Sequence, residues 1–424
     1  MRVYFAALGC RLNQSETDTW MRNLPSGWQV VSDARDANIC ILNSCAVTAT
    51  AAQKSRQLLH RLHRNSPHAK IVLTGCAVDV YPDTCAQWPG VYMTVTTADK
   101  DHLVQRVVSE LGTAMGNGAP PGAIRRDHAP HGRTRALVKI QDGCDNACSY
   151  CVVRLARGHH RSRALPDIAQ EVLQRQHEGY QEIVLTGVHI GAYGQEWRES
   201  LAHLVDTLLR QTEIPRLRLS SIEPWDLTQE LIALWQSPRL CRHMHLPLQS
   251  GCDTTLQRMN RRYNSEHYAH LVQAVRQVVP DIAITTDVIV GFPGERDQHF
   301  AESIQLVRDM GFARIHTFPF SIRPGTAAAL MSEQVGADLI KRRAAAMRAV
   351  GRSSSEMYQR RFLGRTLTVL WEGSRAAEWF GLTDNYLRVV AMDATIQRNT
   401  ITPAHLLEWT PSGIRGELGA RPDD

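Results

Sequence analysis

The sequence predicts an α/β protein in three parts: an N-terminal parallel α/β sheet domain, a central partial barrel of six β/α units, and a small C-terminal all-β barrel. Three observations carry that expectation. Short apolar strands alternate with helix-length segments through most of the 424 residues, a Gly/Pro/Ala-rich stretch interrupts the alternation once, and the last sixty or so residues read as strands and turns with no helix between them. The expected boundaries are 1–111, a linker at 112–134, 135–360 and 361–424.

In the first part, VYFAAL (Val3 to Leu8), NICIL (Asn38 to Leu42) and KIVLTG (Lys70 to Gly75) are short apolar strands. Between the last two, Thr48 to His63 sets Ala51, Ala52, Leu58, Leu59 and Leu62 at helical spacing, with basic residues on the other face. Strand–helix–strand of this length implies parallel pairing. Gly112 to Thr134 has no periodicity and reads as a linker. The middle part carries six strand-like runs beginning at Ala136, Glu182, Arg216, His243, Ala283 and Ala313. Helix-like segments such as Asp167 to His177, Leu201 to Gln211 and Ser265 to Val279 separate most of them. Six units fall short of the eight of a closed barrel, so the barrel is expected to be open. A helix from Gly336 to Gln359 closes it, and three strand-like runs from Arg365, Trp379 and Asn399 form the final part.

Composition narrows the function classes. No run approaches the roughly 18 apolar residues of a membrane helix, and MRVYFAALGC is a poor secretory leader. Ten cysteines are too few for a secreted disulfide scaffold of this length. Their clustering points instead to metal ligation in a reducing cytoplasm. The formal charge of +6 is compatible with a polyanionic partner.

The stretch QDGCDNACSYCVV places Cys144, Cys148 and Cys151 in a C-x3-C-x2-C array with no fourth cysteine nearby. Cysteine thiolates hold iron–sulfur clusters, whereas structural zinc is closed by four protein ligands. Three ligands leave one iron open to a substrate. The other readings are a zinc site completed by His159 or His160, three unconnected buried thiols, or a redox pair at Cys148 and Cys151. A second set is less conspicuous. Cys10, Cys45 and Cys76 each follow one of the three N-terminal strands, at the carboxyl edge where open parallel sheets bind ligands. Jointly they could hold a second cluster; singly each would read as an ordinary buried cysteine.

The central loop follows the first barrel strand, ends in Tyr150–Cys151, and resembles the signature of radical S-adenosylmethionine enzymes. The resemblance implies that Cys144, Cys148 and Cys151 hold a [4Fe-4S] cluster and are catalytic through it. The open iron would chelate S-adenosylmethionine, which is cleaved to a 5′-deoxyadenosyl radical. Since barrel sites lie at the carboxyl ends of strands, Thr186, Ser220, Ser221, Glu223, Gln249, Ser250 and Asp287 become candidates for cofactor or substrate binding. LGCRLNQSE, NSCAVTATA and LTGCA resemble the N-terminal domain of methylthiotransferases, in which an auxiliary [4Fe-4S] cluster accompanies the radical one. Cys10, Cys45 and Cys76 would be its ligands. Two S-adenosylmethionine molecules are then used per turnover, and the last part would be a TRAM-like RNA-binding barrel.

LARGHHRSR, LTGVHIGAYG, RLSSIEP, HLPLQSG and DVIVGFPGE look most like the branch acting on N6-threonylcarbamoyladenosine. The expected activity is methylthiolation of carbon 2 of that nucleoside, next to the anticodon. The alternatives are isopentenyladenosine in tRNA or an aspartate of a ribosomal protein, or, in a different class, a non-catalytic zinc- or cluster-containing RNA-binding protein. Arg154 departs from the family, which commonly carries proline there. Arg154, Arg157, Arg161 and Arg163, with His159 and His160, are candidates for phosphate contacts. Trp371, Trp379, Phe380 and Tyr386 are either base-stacking residues or the core of the final barrel. The expected partners are tRNA and an electron-donor protein, with no membrane.

Overall fold

The computed structural model describes residues 1–112 and 133–419; the linker expected at 112–134 lies almost wholly outside the described residues. Those residues divide into two compact units. The first gathers residues 1–112 with 141–161 and 321–330, the second residues 133–140 with 162–320 and 331–419.

The first unit is built on a five-stranded, all-parallel sheet of β1 (Arg2–Ala7), β2 (Gln29–Val30), β3 (Ile39–Ser44), β4 (Lys70–Gly75) and β5 (Val91–Val95), ordered β2-β1-β3-β4-β5. Both faces are covered, so the central strands are apolar throughout rather than alternating. The period of two still sorts the side chains. Cys40, Leu42, Ile71 and Leu73 enter one core, while Val3, Phe5, Ile39, Ile41 and Val72 enter the other. Helix α2 (Ala49–Asn65) starts where Thr48 accepts the Ala51 amide at 3.1 Å, and it buries Leu59 and Leu62 as its spacing predicts. Helix α1 (Arg11–Arg22) escapes the periodicity argument because the residues it buries are largely polar: Asn13, Ser15, Glu16, Thr17 and Asp18. Their partners are described below. The short strands β2 and β5 were also missing from the sequence expectation.

The second unit contains the six expected parallel strands. Arg135–Lys139, Glu182–Thr186 and Arg216–Leu219 form one sheet, and His243–His245, Ala283–Val290 and Arg314–Pro319 a second. Bridges Leu217↔Leu240 and Ser221↔His245 continue the first sheet into the second, so the six strands follow one another in chain order. One apolar core runs through them, from Val138 and Ile183 to Ile284 and Val290. Helix Ala337–Arg360 follows. The last five strands close a barrel, including Gly413–Leu418, which sequence reading did not anticipate. Among the described residues no helix is long and apolar enough to cross a membrane.

Three arginines fasten the closed barrel to the strands before it. Arg216 donates to the carbonyl of Thr368 at 2.7 Å and to that of Leu382 at 3.0 Å. Arg218 donates to the Asp384 carbonyl at 2.7 Å and pairs with Glu182 at 2.6 Å, with neither side chain exposed. Arg242 pairs with the Asp384 carboxylate at 2.6 Å. Charged residues in a buried strand thus have partners on both sides. Arg218→Met should strand the Glu182 carboxylate and destabilise the second unit by about 3–5 kcal/mol. The double change Arg218→Met with Glu182→Leu should recover most of that loss. Thermal unfolding of the three chains checks both expectations; a single variant as stable as the parent would contradict the first.

Candidate functional site

In the first unit the sheet register sets the cysteines. Ser44 pairs with Gly75, so Cys45 and Cys76 leave adjacent strands one residue beyond the same rung. On the other side of β3, Ala7 pairs with Asn43, and the Leu8 amide bonds the Asn43 carbonyl at 2.9 Å. Cys10 then caps α1, and Cys76 is the first residue of a short helix, Cys76–Val80. The turns require glycine. At Gly9 (φ +96) a Cβ would lie 2.7 Å from the Cys45 sulfur; at Gly75 (φ +97) it would lie 2.3 Å from the Ser44 carbonyl oxygen.

Cys45 and Cys76 are buried and Cys10 is exposed. Burial pushes the Cys45 thiol up to about 11; the neighbouring Cys76 and Cys10 sulfurs raise it further, while Arg157 opposes them. Burial likewise raises Cys76, against the charges of Arg157 and Lys100. Three sulfurs close enough to repel one another when ionised are a soft donor set that a positive group would stabilise. This suits iron–sulfur ligation.

Beneath these sulfurs lies a buried polar network that sequence reasoning missed. Asn13 donates to the carbonyls of Leu8 and Ser44 at 2.8 and 2.9 Å, joining the turns that lead to Cys10 and Cys45. Asn43 donates to Glu16 at 3.1 Å, and Lys100 pairs with Glu16 at 2.7 Å. Arg157 donates Nη1 to Glu16 at 3.0 Å and to Asp142 at 2.8 Å, and Nη2 to Asn13. Burial works against its charge, but Glu16 and Asp142 hold the guanidinium charged well above its ordinary range. The available signal was Asn13 and Glu16 three residues apart just after Cys10, one helical turn facing the sheet edge.

Arg157 ends the helix Val153–Arg157, directly after the second cysteine set. Cys144, Cys148 and Cys151 are all partly exposed. The Cys144 amide bonds the Gly158 carbonyl at 3.1 Å, and the Cys151 amide the Cys148 carbonyl at 3.1 Å. The Asn146 amide points at the Cys144 sulfur, 3.4 Å away, the kind of donor that stabilises a thiolate ligand. Gln141 holds the carbonyls of Asp142 and Gly143, each at 2.7 Å. His159 pairs with Asp145 at 2.6 Å, and His160 accepts or donates at Gln141, 3.0 Å away.

In the second unit, Thr186 is buried at the end of its strand. Ser220 Oγ is buried and has no hydrogen-bond partner among the described residues. Glu223 accepts from Arg261, whose guanidinium lies 4.7 Å from the Trp225 ring. Gln249 adopts φ +64 and bridges to Val288. Ser221 bridges to His245, and Ser250 lies 3.2 Å from Ser303. Asp287 sits 3.2 Å from His245 Nε2. With His316, these two bring their ligand-type atoms within 4.8 Å of one another. The histidines were not singled out from sequence, although HMH and IHT place them on inward-alternating strand positions.

The basic run is corrected. Arg157 is buried and Arg163 is engaged by Glu171 at 2.7 Å and the Lys139 carbonyl at 2.6 Å, so neither is available to phosphate; Arg154 and Arg161 remain exposed. Trp371 belongs to the closed barrel's core, and Tyr386 packs beneath Arg218 at 3.9 Å. Trp379, Phe380 and Arg388 keep part of their surface open.

Comparison with known proteins adds family evidence. The Radical SAM superfamily matches residues 138–307, and a family described as Uncharacterized protein family UPF0004 matches residues 2–96. The chain is 37% identical to the threonylcarbamoyladenosine tRNA methylthiotransferase MtaB of Thermotoga maritima, covering 89% of this chain and 87% of that one. The enzyme of the same name from Chlamydia pneumoniae is 35% identical over 97% and 96%. A tRNA-2-methylthio-N(6)-dimethylallyladenosine synthase from Natranaerobius thermophilus is 33% identical over 88% and 86%. Among solved structures, the radical S-adenosylmethionine methyltransferase TsrM of Kitasatospora setae shares the fold, with a TM-score of 0.58 over 78% of this chain and 77% of that one, at 14% identity.

In the metal-free chain, exposed Cys10 should be alkylated well before Cys45 at neutral pH. Only the thiolate reacts, so the Cys45 rate should climb roughly tenfold per pH unit toward pH 11. Mass-spectrometric peptide mapping across pH reads both; a Cys45 rate flat with pH would contradict the burial argument.

Proposed function

The chain belongs to the threonylcarbamoyladenosine tRNA methylthiotransferases of the radical S-adenosylmethionine superfamily, and from that premise we propose that it methylthiolates carbon 2 of N6-threonylcarbamoyladenosine next to the tRNA anticodon. One observation carries the reading: two sets of three cysteines, Cys10/Cys45/Cys76 and Cys144/Cys148/Cys151, in a chain whose middle part lines up six parallel strands in chain order. The choice of acceptor is supported by relatives at 37% and 35% identity that carry this activity in their names, against 33% for the dimethylallyladenosine branch.

The cofactors are S-adenosylmethionine and [4Fe-4S] clusters. Cys144, Cys148 and Cys151 are proposed to hold the radical cluster, and Cys10, Cys45 and Cys76 the auxiliary one. When bound, these groups supply one-electron cleavage of S-adenosylmethionine to a hydrogen-abstracting radical and the sulfur that is inserted. The chain's own residues hold and orient: the Asn146 amide faces the Cys144 sulfur, and Gly9 keeps the space beside Cys45 free of a side chain. Thr186, Ser220, Glu223, Gln249 and Asp287 are proposed cofactor-binding residues at their strand ends, Ser220 being the one with an unengaged buried hydroxyl. We keep 1–111, 135–360 and 361–424 as the domain divisions, with tRNA as partner, an electron-donor protein as a further partner, and the cytoplasm as location.

tRNA from a strain lacking this chain should lose the 2-methylthio derivative and accumulate N6-threonylcarbamoyladenosine; an unchanged nucleoside profile rejects the acceptor. Anaerobic reconstitution should load about eight irons, as two [4Fe-4S] clusters require. Replacing Cys144, Cys148 and Cys151 with alanine should leave about four irons and abolish cleavage of S-adenosylmethionine. Zinc in place of iron would favour the non-catalytic alternative.

A further inference from the structure

The Arg157 guanidinium lies on the sulfur side of the buried network as well as on its carboxylate side. Its Nη2 donates to Asn13 Oδ1, the oxygen that also lies 3.9 Å from the Cys10 sulfur, and its charge acts on Cys10, Cys45 and Cys76. Its side chain is 2% exposed, so water screens it little. It is also fixed from four directions, by Glu16, Asp142, Asn13 and the helix that carries it. A salt bridge serving stability alone would need only one carboxylate. Here the two cations, Arg157 and Lys100, are balanced by the two carboxylates, Glu16 and Asp142, and the guanidinium also bonds Asn13 Oδ1, 3.9 Å from the Cys10 sulfur.

We propose that Arg157 is a positioning residue for the iron–sulfur group at Cys10, Cys45 and Cys76. It offers the sulfurs a fixed positive charge that sets the group's reduction potential, and Asp142 tempers that charge. The inference rests on the reading that these three cysteines ligate a cluster. Positive charge and N–H donors near cluster sulfurs favour the reduced, more negative state and so raise the potential. The segment that supplies the charge is the one that bears Cys144, Cys148 and Cys151. One cysteine set is therefore tuned by the chain segment of the other, which neither set alone would suggest.

The test uses the full chain with Cys144, Cys148 and Cys151 replaced by alanine, reconstituted anaerobically so that only the first set can hold iron. Midpoint potential is measured by redox titration followed by electron paramagnetic resonance. Removing the cation with Arg157→Met should shift the potential downward. Asp142→Asn keeps an oxygen for the Gly143 amide, 2.8 Å away, and for Arg157 while removing one negative charge, and should shift it upward. Arg157→Lys should return most of the way to the parent. Opposite signs are the expected result, because a loosening of structure common to both variants would move both potentials the same way. Unchanged potentials, or shifts of one sign in both variants, overturn the proposal while leaving cluster ligation intact. Should Arg157→Met not fold, an unchanged potential in Asp142→Asn overturns it by itself. Absence of iron from the triple-alanine parent overturns the ligation reading, and the inference with it.

Discussion

A guanidinium removed from water must be met by carboxylates, and in this chain that requirement fixes where the central cysteine loop sits. Arg157 is buried against Glu16 and Asp142, and Lys100 completes the pairing of Glu16. Withdrawing residues 141–161 from the first sheet would leave Glu16 paired with Lys100 and return Arg157 to water. The loop therefore belongs to the first compact unit even though the strand before it belongs to the second. Charged contacts join the loop to that unit alongside packing: Val152 and Ala156 are buried, and Ala156 enters the apolar core there.

The second unit uses the same device for a different end. Arg216, Arg218 and Arg242 stand on or beside strands of the six-stranded barrel and reach the closed barrel, each bonding a carbonyl or carboxylate there. Arginine suits this because its planar fork can satisfy several acceptors while its charge is compensated by Glu182 or Asp384. The aromatic residues Tyr358 and Phe362, at and just past the end of the long helix, belong to a core shared with Val369 and Leu406.

Much of this was legible in the sequence. The parallel strands of the first unit, the six strands of the second and the helix Leu201–Gln211 follow from apolar runs and periodicity. The cysteine sets followed from spacing and from their shared place after strands. What stayed hidden has a common physical origin. Helix Arg11–Arg22 buries polar side chains, so no apolar stripe announces it, and its partners Lys100 and Arg157 are distant in sequence. Arg157 resembled its exposed neighbours in a basic run, since sequence does not distinguish a solvated arginine from one facing a buried glutamate. The pairing of His245, Asp287 and His316 is likewise a product of register between three strands, which alternation alone does not set.

The closure of residues 142–158 upon themselves has an evolutionary corollary. Asp142 grips Arg157 while the Gly158 carbonyl holds the Cys144 amide, so the loop is a small ring that reaches Asn13 and Glu16 through Arg157. A lineage that loses the arginine keeps two buried carboxylates, Glu16 and Asp142, with Lys100 for the first alone, and a lineage that loses the glutamate keeps two buried cations with Asp142 alone to meet them. Inherited change at positions 16 and 157 should therefore be paired, linking residues 141 apart in sequence.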